Sequence, residues 1–298
     1  MNIGFYGKSI PSESLPAIGQ FFRRLAKSDC RLMIYESFHH RLIHEYGFEI
    51  TADTFQGHND IAGHLDYLVS IGGDGTFLDT VTLVRDSGIP IFGINTGRLG
   101  FLSSVTAEDT EQAVDALLSR RYWLDQRTLI RLESPAGLFG ELNYALNEVA
   151  VYRKDPNSML AIHTYVDDLF LNSYWADGLI IATPTGSTAY SLSCGGPIVL
   201  PEARNFLITP IATHNLTVRP VVIPDDCTIR LRVEGRSSEF FVSLDSRFNT
   251  LDSSTEIIIV RENFKINLIR MEEQNFFSTI RGKLKWGLDI RNYSGGIS

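Results

Sequence analysis

The stretch YLVSIGGDGTFLDTV, residues 67–81, constrains the fold more than any other part of the chain. A short apolar run ends in two glycines, a carboxylate and a third glycine, and the sequence then turns apolar again at helical length. The run reads as a buried strand and the glycine-rich turn as the start of a helix. A strand followed by such a turn places the unpaired N–H groups of a helix N-terminus at the carboxyl edge of a sheet, where phosphates bind. Gly72, Gly73 and Thr76 are candidate phosphate-binding residues, since glycines bring the backbone close to a ligand. Asp74 suits a different task. A carboxylate repels phosphate and is more useful beside a hydroxyl that it orients or deprotonates, or near a metal ion that bridges phosphates. Taken alone, GGDG also fits a tight turn in which Asp74 caps the helix.

The flanking segments alternate. Residues 2–6 (NIGFY), 31–36 (RLMIYE) and 89–95 (IPIFGIN) read as strands. LPAIGQFFRRLAK spaces Leu15, Ile18, Phe22 and Leu25 as a helix face, and residues 77–87 have helical length. Thr106, with Asp109 three residues on, resembles a capping-box start for a further helix. Alternation of this kind implies a parallel sheet with helices on both faces. After residue 122 the pattern changes to successive strands: TLIRLES, NEVAVYR, AIHTYVD, LFLNSYW, LIIATP, CTIRLRVEG, EFFVSLD and TEIIIVR. Asp167 and Asp168 fall between two of them and read as a tight hairpin. In the last segment, Phe277, Ile280, Leu284 and Trp286 share a helical face, so the chain is expected to return a helix to the first domain. At 298 residues two domains are expected: an α/β domain of residues 1–122 and about 271–298, and a β-rich domain of residues 123–270.

Composition excludes several classes. A net charge of -8 argues against a general nucleic-acid or anionic-membrane binder. No run approaches the roughly 18 apolar residues of a membrane span, and the amino terminus lacks a signal-peptide pattern. Cys30, Cys194 and Cys227 are far apart and lack CxxC spacing, so neither a disulfide framework nor a zinc site is signalled, and a reducing cytoplasm is expected. Lys8 and Ser9 sit in a GKS that lacks the earlier glycine of a phosphate-binding loop, and no GxGxxG follows the first strand.

Three further blocks decide among glycine-rich phosphate binders. GINTGRLGFL (residues 93–102), LNEVAV (146–151) and ADGLIIATPTGSTAYSLSCGGP (176–197), in this order with SIGGDGT, resemble the NAD kinase family. The resemblance extends over most of the chain. It implies a Rossmann-like parallel-sheet domain, a β-rich domain, and phosphoryl transfer from ATP, or polyphosphate in some members, to the 2'-hydroxyl of the adenosine ribose of NAD. A divalent metal, Mg2+, is implied with the nucleotide phosphates, and no protein metal site. Asp74 matches the family's essential aspartate, with Gly75 beside it, and Asn147 and Glu148 match the pair that holds NAD. Thr188, Ala189, Tyr190, Ser191 and Ser193 match the adenine and ribose segment. Asp177 matches an acid that reaches the nicotinamide end, often across a subunit interface, which implies a homodimer or homotetramer. Ala212 and Arg247 fall near further NAD-contacting positions, and Arg98 in the second glycine turn is a candidate phosphate ligand.

The residue types agree with that chemistry. Asn147 offers a donor and an acceptor to a heteroaromatic edge, and Glu148 offers acceptors to ribose hydroxyls. Two positions depart from the family pattern: Trp175 stands where many relatives carry arginine, and LDSR (residues 244–247) stands where Asp-Gly is usual, so Arg247 is a candidate replacement charge. Two other readings are a diacylglycerol-type lipid kinase, which the acidic charge opposes, and a non-catalytic dinucleotide sensor on the same fold. His214 and Cys194 read as structural groups.

Overall fold

The computed structural model describes residues 1–97, 100–103, 105–271 and 275–286. It divides into two compact units, Met1–Asp125 with Asn267–Ser298, and Gln126–Ile266.

The first unit runs β1 (Asn2–Gly7), α1 (Leu15–Leu25), β2 (Arg31–Tyr35), α2 (Glu36–His44), β3 (Asp53–Phe55), α3 (His58–Ile61), β4 (Tyr67–Ile71), α4 (Asp74–Val84), β5 (Ile91–Asn95), β6 (Val105–Thr106) and α5 (Thr110–Leu118). Its strands pair in parallel in the order β5-β4-β1-β2-β3, with β6 added at the end of β5. Every residue of β4 and β5 is buried, as expected of parallel strands covered on both faces. The apolar stripe of α1 sets Phe21 and Phe22 against Phe5 of β1, with ring centroids 6.2 and 5.0 Å away. Burial of each such ring stabilises the layer by about 1.5–3 kcal/mol. The Thr106–Asp109 pair forms differently from a capping box. The Thr106 hydroxyl donates to the Asp109 carboxylate at 2.8 Å, Ala107–Asp109 make a 3-10 turn, and α5 begins only at Thr110.

The second unit is built from β7 (Trp123–Ser134), β8 (Tyr144–Ala145), β9 (Glu148–Arg153), β10 (Leu160–Val166), β11 (Leu169–Ala176), β12 (Gly178–Ala182), α6 (Tyr190–Ser193), β13 (Asn205–Ile211), β14 (Val221–Pro224), β15 (Ile229–Gly235), β16 (Glu239–Leu244), β17 (Arg247–Asp252) and most of β18 (Ile257–Arg270). One antiparallel ladder runs β14-β13-β12-β9-β16-β17, another β11-β10-β15-β18. Their inward side chains, among them Val149, Val151, Ile162, Ile181, Ile208, Leu231 and Val242, form one core. Asp167 and Asp168 both take positive φ, 47° and 64°, in the two-residue turn joining β10 to β11. The sequence reading passes over β13, β14 and β17. Pro210 is accommodated in β13 because it lies opposite Leu179 of β12 and beyond the last residue paired with β14.

The closing helix α7 (Phe276–Leu284) belongs to the first unit. Its buried face corrects the expectation: Ile280 is buried, whereas Phe277 and Trp286 are 58% and 56% exposed. Phe276, Lys283 and Leu284 are half-buried, and the Lys283 Nζ lies over the Phe101 ring.

Candidate active site

Asp74 is the first residue of α4, and Gly73 before it is the N-cap. Its side chain does not cap that helix. Oδ2 accepts the N–H of Phe101 at 2.7 Å and Oδ1 the N–H of Leu102 at 3.2 Å, so two backbone donors fix the carboxylate's orientation. The second glycine-rich turn therefore supports Asp74 directly. A Cβ on Gly100 would stand 1.8 Å from Asp74 Oδ1, so a side chain there would have to displace the carboxylate. Gly73 and Gly75 are exposed with open space beside them, while Gly72 is buried over the Thr76 side chain. Arg98, the remaining phosphate candidate, lies outside the described residues. Lys8 forms an ion pair with Asp79 at 2.6 Å.

In the second unit, Asn147 and Glu148 sit at the head of β9, and an acid distant in sequence holds them. The Asp245 carboxylate, in the two-residue turn between β16 and β17, accepts the N–H groups of Leu146, Asn147 and Glu148 at 2.9, 2.7 and 3.2 Å. The Asp245 N–H donates in return to the Glu148 carbonyl at 3.1 Å. The LDSR departure acquires a structural use here: the Arg247 guanidinium donates to the carbonyls of Leu142 and Tyr144, tying down the segment that leads to Asn147. Burial holds the Asp245 carboxyl above its ordinary range, against the pull of the three amides and of Arg247.

Glu148 is buried and incompletely satisfied. The Tyr190 N–H donates to its carboxylate, but Oε2 is buried with no hydrogen-bond partner among the described residues. Burial, and then the nearby Asp245 charge, push its pKa from 4.5 up to about 8. A carboxyl in this condition is poised to accept from ligand hydroxyls.

The hydroxyl-rich block divides into scaffold and open groups. Thr183 donates to the Leu146 carbonyl at 2.6 Å and accepts from the Gly186 N–H at 3.1 Å. A Cβ on Gly186 would meet the Asn147 carbonyl oxygen at 2.1 Å, so this turn packs directly on the Asn147 backbone. Ser187 accepts from the Val199 N–H at 3.1 Å, and Ser191, fully buried, bonds Thr209 at 2.9 Å. Thr188 and Ala189 are half-buried, with the Thr188 hydroxyl on the Thr185 carbonyl at 3.1 Å. Tyr190 and Ser193 are exposed. Asp177 is paired with Arg153 at 2.9 Å. Arg153 also lines a pocket of about 520 Å³ with Trp175, His214 and Arg236. Ala212, at the end of β13, is exposed with a φ of 45°. Among the described residues no group of three or more His, Cys, Asp or Glu could hold a metal ion.

Residues 3–122 match the ATP-NAD kinase N-terminal domain and residues 146–271 the ATP-NAD kinase C-terminal domain. A Cytophaga hutchinsonii protein named NAD kinase is 46% identical over 293 residues, covering 98% of this chain and 100% of the relative. The chain belongs to the NAD kinase family. A Bacteroides fragilis NAD kinase is 39% identical over 291 residues with the same coverage. Among solved structures, yeast NADH kinase complexed with NADH aligns with a TM-score of 0.84 and 26% identity, covering 100% of this chain and 90% of that one. An Archaeoglobus fulgidus NAD kinase in complex with ATP shares the fold, with a TM-score of 0.72 and 24% identity over 96% and 99% of the two chains. Like its NAD kinase relatives, the protein is a phosphotransferase whose acceptor is an alcohol group.

Proposed function

We propose that this protein transfers the terminal phosphoryl group of ATP to the 2'-hydroxyl of the adenosine ribose of NAD, making NADP. The observation that carries the reading is the Asp74 carboxylate, held by two backbone amides at the head of α4 between exposed glycines. Asp74 orients the acceptor hydroxyl and takes its proton as the oxygen attacks in line. Gly72, Gly73, Gly75 and Thr76 let phosphate oxygens approach the α4 N-terminus, with Arg98 as a further phosphate ligand. Asn147 and Glu148 hold the NAD, Glu148 through the oxygen that has no hydrogen-bond partner among the described residues. Tyr190 and Ser193 offer an open ring and hydroxyl to the adenosine, beside Thr188, Ala189 and Ser191, and Asp177, Ala212 and Arg247 complete the NAD-binding set. A divalent ion, Mg2+, would be carried by the nucleotide phosphates and would neutralise part of their charge.

The complexes of the yeast and Archaeoglobus relatives with NADH and ATP support these substrates. A homodimer or homotetramer is the proposed working form. Its support is β11, which pairs with β10 on one side only and leaves Leu169 and Phe170 75% and 59% exposed. Residence in the cytoplasm is part of this proposal, and among the described residues no helix is long and apolar enough to cross a membrane. The test is formation of NADP from NAD, ATP and magnesium, read through an NADP-specific dehydrogenase. Robust turnover supports the reading; tight NAD binding without turnover from ATP or polyphosphate contradicts it.

A further inference from the structure

The buried face of α7 carries a cation whose nitrogen has no hydrogen-bond partner among the described residues. Asn275 caps the helix by accepting the Ser278 N–H at 2.8 Å, which fixes where each later side chain points. Lys283 lies three residues beyond buried Ile280, on the same face. Its Nζ is buried and has no hydrogen-bond partner among the described residues. It stands 4.0 Å from the centre of the Phe101 ring. Phe101 is also the residue whose N–H holds Asp74 at 2.7 Å, so a single residue braces the carboxylate with its amide and the ammonium with its ring.

An ammonium is strongly hydrated and has three donors, and burying it with none engaged is costly. Attraction to an aromatic face returns about 2 kcal/mol when desolvated, less than a carboxylate partner would. The charged groups that act on it among the described residues are Asp74, which favours the ammonium, and Arg270, which opposes it. Arg270 is itself tied to Asp125 at 3.1 Å and to the Leu102 carbonyl at 3.3 Å. The Asp74 oxygens are bonded to the two amides instead of to Lys283. The ammonium is thus held within electrostatic reach of the Asp74 carboxylate with no acceptor engaged among the described residues.

We propose that Lys283 is a catalytic residue that donates to the oxygens of the phosphoryl group in transit next to Asp74. This rests on the reading of Asp74 as the group facing the acceptor hydroxyl. In the transfer, the bond from the 2'-oxygen to the γ-phosphorus forms and the bond from that phosphorus to the β,γ-bridging oxygen breaks. The electron pair leaves on ADP, and the hydroxyl proton passes to Asp74. Lys283 remains an ammonium throughout; it neutralises charge that grows on the equatorial oxygens.

The test compares Lys283→Met, which keeps the stem without charge, and Lys283→Arg, which keeps the charge, in the full chain. Lys283→Met is expected to melt no lower than wild type, to bind NAD within about threefold, and to lose about hundredfold in kcat. Lys283→Arg is expected to recover turnover to within about tenfold of wild type. Burial brings the Lys283 pKa down to about 8, so wild-type kcat/KM for ATP should fall as pH rises past that value. In Lys283→Arg that alkaline decline should be absent, because a guanidinium stays charged. A second readout needs no reaction: binding of inorganic tripolyphosphate by calorimetry should weaken at least tenfold in Lys283→Met. Equal tripolyphosphate affinity in wild type and Lys283→Met overturns the assignment, as do equal losses with unchanged pH profiles in both variants. Wild-type protein that binds tripolyphosphate through Lys283 yet makes no NADP overturns the kinase reading alone and supports the anion site.

Discussion

Replacing Glu148 by glutamine should make the ligand-free protein more stable above neutral pH while weakening its hold on NAD. In the folded protein the Glu148 carboxyl titrates at about 8 against an ordinary 4.5, first because it is buried and second because Asp245 is near. A group whose folded pKa is raised binds its proton more tightly in the folded state than in the unfolded one. Its folded state therefore carries no penalty below pH 4.5, loses stability as pH rises from there, and carries the whole penalty above about 8. Each pH unit in that window is worth ~1.4 kcal/mol, so the penalty approaches ~3 kcal/mol at pH 7 and ~5 kcal/mol above pH 8. Glutamine keeps the shape, carries no charge to desolvate and removes the repulsion on Asp245. Urea unfolding of both proteins at pH 5, 7 and 8.5 measures the difference directly. The advantage of Glu148→Gln should grow by several kcal/mol across the series. A gap that stays constant with pH, or a variant less stable than wild type at pH 8.5, would refute the argument that an uncompensated carboxyl sits at the head of β9.

Three further outcomes follow from the same geometry. Binding of NAD at pH 7 should release up to about one proton, since ligand hydroxyls that donate to Glu148 favour its ionised form; calorimetry in two buffers of different ionisation enthalpy reads this, and Glu148→Gln should abolish it. Gly100→Ala would place a Cβ 1.8 Å from Asp74 Oδ1, so it should displace the carboxylate and cut kcat about hundredfold while NAD affinity stays close to wild type. Asp245→Ala strands the amides of Leu146, Asn147 and Glu148 and should cost ~3 kcal/mol or more in chemical unfolding, together with weaker NAD binding.

What could be read from the residues alone depended on whether a feature was local. The β4 to α4 junction was legible because an apolar run, a glycine turn and a helical run occur in order within fifteen residues, and each has one structural meaning. Which residues serve Asp74 was not legible. The Phe101 and Leu102 donors are backbone N–H groups, which every non-proline residue carries, so no residue type announces them. Asp245 was read only as a departure from a familiar pattern, because its partners lie almost a hundred residues earlier. Glu148 was singled out only through the family resemblance, and its missing partner emerges only once Asp245 and Tyr190 are placed around it. Thr188, Ala189, Tyr190, Ser191 and Ser193 were read together as one adenine and ribose segment, but burial separates Ser191, spent on an internal bond, from Tyr190 and Ser193, which are open. For α7, apolar spacing predicted a face of Phe277, Ile280, Leu284 and Trp286, and spacing takes no account of a lysine whose nitrogen is buried over the Phe101 ring while Phe277 and Trp286 are exposed.

The central claim is that a carboxylate clamped by the Phe101 and Leu102 amides activates the acceptor hydroxyl. Single-turnover formation of NADP by Asp74→Asn, measured beside NAD affinity for the same protein, tests it most directly. The account predicts that the variant folds, binds NAD within a few-fold of wild type, and loses about a thousandfold or more in the rate of phosphoryl transfer. Transfer at a near-normal rate by Asp74→Asn would contradict it.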